Sequence, residues 1–185
     1  RHIPLFMEHA TDPAVLDVME DLLGPDLILY NSQVLLKPAF HGTSQPWHQD
    51  SAYLPLGRTN LVSCWIAIDE ATVENGCMQF IPGTHNSGLV EHKSGRMLSA
   101  ASGGTAAAVQ EISVDESKAK AVPAKPGHGS LHHCLTFHGT PPNKTPHRRR
   151  ALITHYMPLD FTYTGPIDDR PQFHVVRGER TGEIL

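Results

Sequence analysis

The sequence predicts a mainly β domain of the sandwich or barrel type with a minority of helix. Period-two alternation recurs in several short segments, clearest over 27–37, 61–69 and 149–157. Gly, Pro and Asn clusters separate these segments. Only residues 13–23 carry clear helical spacing. The 185 residues suit one domain with a substantial core, taken here as 1–185. The chain starts at Arg1 and runs straight into Ile3-Pro4-Leu5-Phe6, so a longer N-terminal portion is expected to precede it.

Taken in order, Asp12-Pro13 reads as an N-cap with Pro at the first helical position. Val15, Leu16, Met19, Leu22 and Leu23 follow at helical spacing, and Gly24 stops the helix. From 27 to 37 the period becomes two. Leu27, Leu29, Asn31, Gln33, Leu35 and Lys37 share one face, and Asn31 and Gln33 interrupt it as an edge-strand pair or as polar handles in a pocket. After a loop over 38–46, a strand is expected to carry His48 and Asp50. Strand 61–69 places Ser63, Trp65 and Ala67 together. Glu74-Asn75-Gly76-Cys77 is a turn, 78–81 a short strand and Pro82-Gly83-Thr84-His85 its closure. Residues 94–120 turn to Ala, Ser, Gly and Thr and read as a flexible loop or lid. Further strands are expected at 121–125, 131–137 and 149–157, the last with Arg149, Ala151, Ile153 and His155 on one face. The tail from 158 is turn-rich and weakly patterned.

A formal net charge of −4 gives no polyanion-binding surface, so nucleic acid is not an expected partner. No apolar run approaches a membrane span, and no protein partner is indicated. Three widely spaced cysteines, Cys64, Cys77 and Cys134, do not make a disulfide framework and fit a reducing, cytoplasmic setting. There are 13 histidines, several of them between His128 and His155.

Chemistry is concentrated in Trp47-His48-Gln49-Asp50-Ser51-Ala52-Tyr53. Side chains two apart on a strand leave the same face, so His48 and Asp50 can reach one ion together. A third ligand would complete two histidines and one carboxylate, the set of non-haem Fe(II) sites that keep coordination positions open. The candidates are His128, His132, His133, His138, His147 and His155. A histidine at a strand end beside a turn is best held, which favours His138 before Gly139. His132 and His133 compete, and spacing alone does not settle the choice.

That segment together with Glu74-Asn75-Gly76-Cys77, Ile81-Pro82-Gly83-Thr84-His85 and His138-Gly139-Thr140-Pro141-Pro142-Asn143 resembles the phytanoyl-CoA dioxygenase family, in the family's order. The resemblance implies a double-stranded β-helix (jelly-roll, cupin-like) core with a few flanking helices. It also implies an oxygenase using Fe(II), with 2-oxoglutarate and O2 as co-substrates. Under it His48, Asp50 and His138 are the metal ligands, and Arg149 pairs with the far carboxylate of 2-oxoglutarate, a task suited to a planar guanidinium. Strand alternation independently separates Arg149 from Arg148 and Arg150. Gln33 and Thr140 fall on positions that contact the co-substrate, and Trp65 on one lining the iron pocket. His128 stands where relatives commonly carry Asp and is taken as a turn residue.

The implied reaction is oxidation of a small organic substrate at an unactivated C–H bond, yielding succinate and CO2. Asp50 supplies the carboxylate that halogenating relatives lack, so hydroxylation is expected rather than halogenation. Two other classes compete: a cupin-like binding protein without chemistry, which needs no Arg149 anchor, and a zinc hydrolase, which leaves Gln33 and Arg149 without a task. A CoA substrate calls for a basic cluster, and only Arg148–Arg150 offers one, so a small metabolite or natural product is favoured.

Overall fold

A computed structural model describes residues 4–40, 43–57, 60–97, 108–166, 168, 173–179 and 182–184. Helix α1 spans Pro4–Ala10 and α2 Pro13–Leu23. The Asp12 side chain accepts from the Ala14 N–H at 2.9 Å, and Gly24 (φ 96°) ends α2 while its N–H donates to Glu20 O. Leu16, Met19 and Leu23 of α2 pack on Leu27, Val62, Cys64 and Tyr156. Helix α1 was not legible in the sequence. At seven residues it is held by tertiary contact, with Tyr156 donating to Ala10 O at 3.1 Å.

The strands are β1 Leu27–Lys37, β2 Gln45–His48, β3 Val62–Ala67, β4 Met78–Phe80, β5 Lys93–Met97, β6 Ala108–Glu111, β7 Lys120–Val122, β8 Gly129–His133, β9 His138–Thr140, β10 Arg149–Pro158, β11 Phe173–Arg177 and β12 Gly182–Ile184. They form a six-stranded sheet, β12-β11-β1-β10-β3-β8, a four-stranded sheet, β2-β9-β4-β7, and the hairpin β5-β6. Every named pairing is antiparallel. Helix α2 covers one face of the large sheet. On the other face Trp65, Ala67, Ala151 and Ile153 pack against Met78 of the small sheet. Two facing antiparallel sheets around one core make the expected double-stranded β-helix.

Three expectations need correction. Pairing slips between Leu29 and Asn31: Leu29 lies opposite Tyr156, but Asn31 lies opposite His155. This β-bulge sends Leu27 to the helix side and Asn31, Gln33, Leu35 and Lys37 to the inner face, so the single face expected over 27–37 is split. The strand expected over 131–137 stops at His133, the end of β8; a turn over 134–137 follows, and His138 opens β9. The weakly patterned tail supplies β11 and β12, and Phe173 of β11 is fully buried. Within 94–120, β5 and β6 pair as arms, while 98–107 lie outside the described residues.

Register across the large sheet sets inner-face side chains in rows. Asn31, His155, Ser63 and His132 form one row, and Gln33, Ile153, Trp65 and Ser130 the next. Lys37 lies opposite Arg149 at the far end.

Candidate metal centre and co-substrate pocket

Strand β2 ends at His48, and Asp50 opens a single 3-10 turn over Asp50–Tyr53. Asp50 is therefore not a strand residue as expected. Gln49 between them is extended (φ −114°, ψ 136°), so the two-residue alternation survives and both side chains still point the same way. Gln49 points oppositely and is fully buried. Its amide donates to Gly88 O and Leu135 O, both at 2.8 Å, and its Oε1 accepts from the Val90 N–H at 2.9 Å. The Gln49 N–H donates to His92 Nε2 at 2.9 Å. One side chain thus fastens the His48–Asp50 segment to the turn that delivers His138. Gln49→Ala is expected to cost on the order of 3 kcal/mol by denaturant unfolding, because buried groups lose partners at about 1–3 kcal/mol each. A loss below about 1 kcal/mol would show that the clamp is dispensable.

The other motifs brace the same region. Thr84 accepts the Phe137 N–H at 2.9 Å and donates to Ile81 O at 2.7 Å, fixing the entry to His138. Asn75 accepts from the Thr72 N–H and donates to Glu70 O, both at 2.8 Å, closing the turn before Gly76. Buried Asn143 donates to Pro38 O at 3.1 Å and His147 O at 2.6 Å, joining the end of β1 to the start of β10.

His48 Nδ1 lies 2.7 Å from Pro46 O and His138 Nδ1 lies 2.9 Å from Thr136 O. Donation from each Nδ1–H leaves each Nε2 lone pair free for a metal. Those Nε2 atoms stand 3.7 and 3.4 Å from Asp50 Oδ1. Three ligand atoms, one from each residue, lie within 4.8 Å of one another, and this is the only such grouping of His, Cys, Asp or Glu among the described residues. Burial, helped by His138, pushes the His48 pKa down to about 3, although Asp50 opposes the shift. Burial would raise the Asp50 pKa, but His138 and His132 outweigh it and hold the carboxyl well below its usual range. A neutral imidazole and an ionised carboxylate are the forms a divalent cation needs. The donor set fits Fe(II), and equally other divalent ions that accept nitrogen and oxygen.

The remaining candidate histidines do not join this group. His128 is exposed in the turn before β8. His133 Nδ1 accepts the Leu135 N–H at 3.2 Å, and His147 is exposed. His132 Nε2 faces the other oxygen of Asp50, Oδ2, at 3.4 Å. His155 Nδ1 lies 2.8 Å from Ser63 Oγ, which donates to the same Oδ2 at 2.8 Å. Ser63 escaped sequence reading as a site residue. Its place beside Trp65 on one strand face was the available signal, but cross-strand register was needed to bring it to Asp50.

Arg149 is 2% exposed, its guanidinium 5.5 Å from the centre of the Trp65 ring. Its Nη2 donates to Gly76 O at 2.6 Å, while its Nε and Trp65 Nε1 are buried without a partner. Gly76 has φ +85°, and a Cβ there would stand 2.4 Å from Pro141 O, so no other residue aims this carbonyl without strain. The neighbouring arginines are engaged elsewhere: Arg150 grips Asp69 through two bonds of 2.9 and 2.8 Å, and Arg148 lies 3.9 Å from the same carboxylate. Alternation thus separates the three arginines as expected.

Lys37 is buried opposite Arg149, with its ammonium donating to Thr43 O. Burial, then the Arg149 charge, lowers the Lys37 pKa to about 7, and burial lowers that of Arg149 to about 10. Two adjacent buried cations favour an anion between the sheets. The folded Lys37 pKa lies below the ordinary 10.5, so from about pH 7 to 10.5 the unfolded chain binds more protons and stability rises with pH. Lys37→Met is accordingly expected to gain roughly 2–4 kcal/mol over wild type at pH 6, with the advantage shrinking through that window. Paired denaturation curves showing a pH-independent difference would refute this. Gln33 and Asn31 are exposed on the inner-face edge of β1. Thr140 is buried on β9, two residues beyond His138 and on its side.

The family model for phytanoyl-CoA dioxygenase (PhyH) matches residues 1–151. A probable phytanoyl-CoA dioxygenase of Caenorhabditis elegans is 31% identical over 162 residues, 83% of this chain and 51% of that protein. The chain thus spans about half the length of that curated relative. The solved structure of the non-heme monooxygenase ThoJ, apo, superposes with a TM-score of 0.79 at 29% identity, covering 96% of this chain and 63% of that one. The epimerase SnoN in complex with Fe3+, alpha ketoglutarate and nogalamycin RO superposes with a TM-score of 0.68 at 26% identity, covering 96% and 69%. With its motifs, its two-sheet core and this match over residues 1–151, the chain belongs to the phytanoyl-CoA dioxygenase family.

Proposed function

We propose that the chain is the catalytic part of an Fe(II)- and 2-oxoglutarate-dependent dioxygenase that hydroxylates a small organic substrate. One observation carries the reading: the His48–Asp50–His138 cluster opens onto the inner face that also buries Arg149 without a carboxylate partner among the described residues. His48, Asp50 and His138 hold the metal. When bound, Fe(II) supplies activation of O2, coupled to decarboxylation of 2-oxoglutarate to succinate and CO2 and to oxidation of the substrate. Arg149, steadied by Trp65 and Gly76, holds the far carboxylate of 2-oxoglutarate. Thr140 and Gln33 contribute polar contacts to the co-substrate. The protein supplies position and a dry setting.

Asp50 fills the position a halide would need, which supports hydroxylation over halogenation. Arg148 and Arg150 are committed to Asp69, which removes the basic cluster a CoA moiety would use and favours a small metabolite. Tyr53, edge-on to His48 at 5.6 Å between ring centres, lies where a substrate approaches. Segment 94–120 acts as a lid. In support, Ile112 N–H donates to Trp47 O at 2.9 Å and Trp47 Nε1 to Glu116 at 3.3 Å, joining it to β2.

The reading is tested by incubating the protein with Fe(II), 2-oxoglutarate and air and measuring succinate. Slow succinate release that stops with a chelator is expected even without the true substrate, and a small-metabolite library should contain compounds that accelerate it. No release above a metal-free control would contradict the reading. Removing 94–120 is expected to raise 2-oxoglutarate consumed per substrate oxidised, and unchanged coupling would count against the lid.

A further inference from the structure

The oxygen of Asp50 that faces away from the ligand cluster is unusually well provided for. Oδ1 looks toward His48 Nε2 and His138 Nε2. Oδ2 takes the Ser63 hydroxyl at 2.8 Å and faces His132 Nε2 at 3.4 Å. A carboxylate only accepts, so the single Ser63 proton goes to Asp50. Ser63 Oγ must then accept from His155, 2.8 Å away, which places that histidine's proton on Nδ1. Both nitrogens of His132 are buried without a hydrogen-bond partner, so Oδ2 is the acceptor its Nε2 faces. Ser63 is fully buried, and His132 and His155 are nearly so. These residues are not scattered. They are three consecutive members of one row across β10, β3 and β8, placed there by register.

We propose that Ser63, oriented by His155 and seconded by His132, is a positioning residue that keeps Asp50 a one-oxygen metal ligand. A carboxylate free to rotate can grip a metal ion through both oxygens, as such groups commonly do. A second Asp50 oxygen on the metal would consume a coordination position that the co-substrate and O2 require. The hydrogen bond from Ser63 to Oδ2, with His132 Nε2 facing the same oxygen at 3.4 Å, holds that oxygen back and leaves Oδ1 alone to point at the histidines. A serine serving only to satisfy the core would stabilise the fold without affecting the metal's coordination.

The inference rests on the metal-centre reading, and the test separates the two. Metal-free wild type, Ser63→Ala, Ser63→Thr, His155→Phe and the double variant S63A/H155F are titrated anaerobically with Co(II), whose visible absorption reports coordination number. Unfolding curves of the metal-free proteins record the purely structural cost. Ser63→Ala is expected to bind Co(II) roughly 10–100-fold more weakly, with an altered spectrum, and Ser63→Thr, which keeps the hydroxyl, to return both toward wild type. His155 acts only through Ser63, so the double variant should match Ser63→Ala rather than sum the two losses. If Ser63→Ala does not fold, His155→Phe alone decides by the same two readouts. Wild-type affinity and spectrum in the folded variants would overturn the positioning role and leave the proposed function standing. A wild type that binds no Co(II) would overturn both.

Discussion

Replacing Arg149 with Ala is expected to raise the Kd for 2-oxoglutarate by about 100-fold or more while leaving metal affinity nearly unchanged. Arg149 is buried, stacked over Trp65 and tied to Gly76 O by one nitrogen, with Nε left over. Its fork can meet a carboxylate through two parallel bonds, and losing one member of a buried charged pair costs about 3–5 kcal/mol. Lysine at this position would keep the charge but lose the fork and the stacking, so Arg149→Lys should recover only part of the affinity. Calorimetric titration of the anaerobic metal-loaded protein checks both. An Arg149→Ala affinity within threefold of wild type would move the anchor elsewhere, and nearby Lys37 would become the candidate.

His48→Ala and Asp50→Ala should each abolish succinate production and stoichiometric metal binding. Removing a direct ligand should exceed the roughly 10–100-fold cost of removing an outer partner. The two variants differ in what remains. Without His48, Asp50 keeps Ser63 and His132, so the carboxylate stays in place. Without Asp50, Ser63 loses its acceptor, His132 loses the carboxylate it faces and the metal loses its one negative ligand, so Asp50→Ala should be the more damaging to metal affinity. Unchanged succinate production by either variant would remove that residue from the ligand set.

Much of this architecture was legible because alternation and turn chemistry are local. Asp12-Pro13 and Gly24 bounded α2, and the Arg148–Arg150 alternation put only Arg149 inside. The unreadable parts depend on what lies across the sheet. The slip at Leu29–Asn31 is a property of the β1–β10 pairing and shows in the pattern only as the polar Asn31 and Gln33 that break the apolar face. Strands β11 and β12 are short, and β11 is anchored by Phe173, whose burial among Tyr30 and Phe161 could not be inferred from a weakly patterned tail. At the site, spacing joined His48 to Asp50, but the choice of His138 needed the family's motifs. What places His138 rather than His132 beside Oδ1 is hidden from the sequence: Gln49 and Thr84 fasten the preceding turn, while His132 is left facing Oδ2.

The most direct test is anaerobic addition of Fe(II) and then 2-oxoglutarate to the metal-free protein, followed by visible spectroscopy. A weak, saturable charge-transfer band requiring both additions, and absent from Arg149→Ala at the same concentrations, is the expected result. Iron binding without the band would contradict co-substrate chelation, and no iron binding would contradict the metal centre itself, leaving a cupin-like binding protein as the better description.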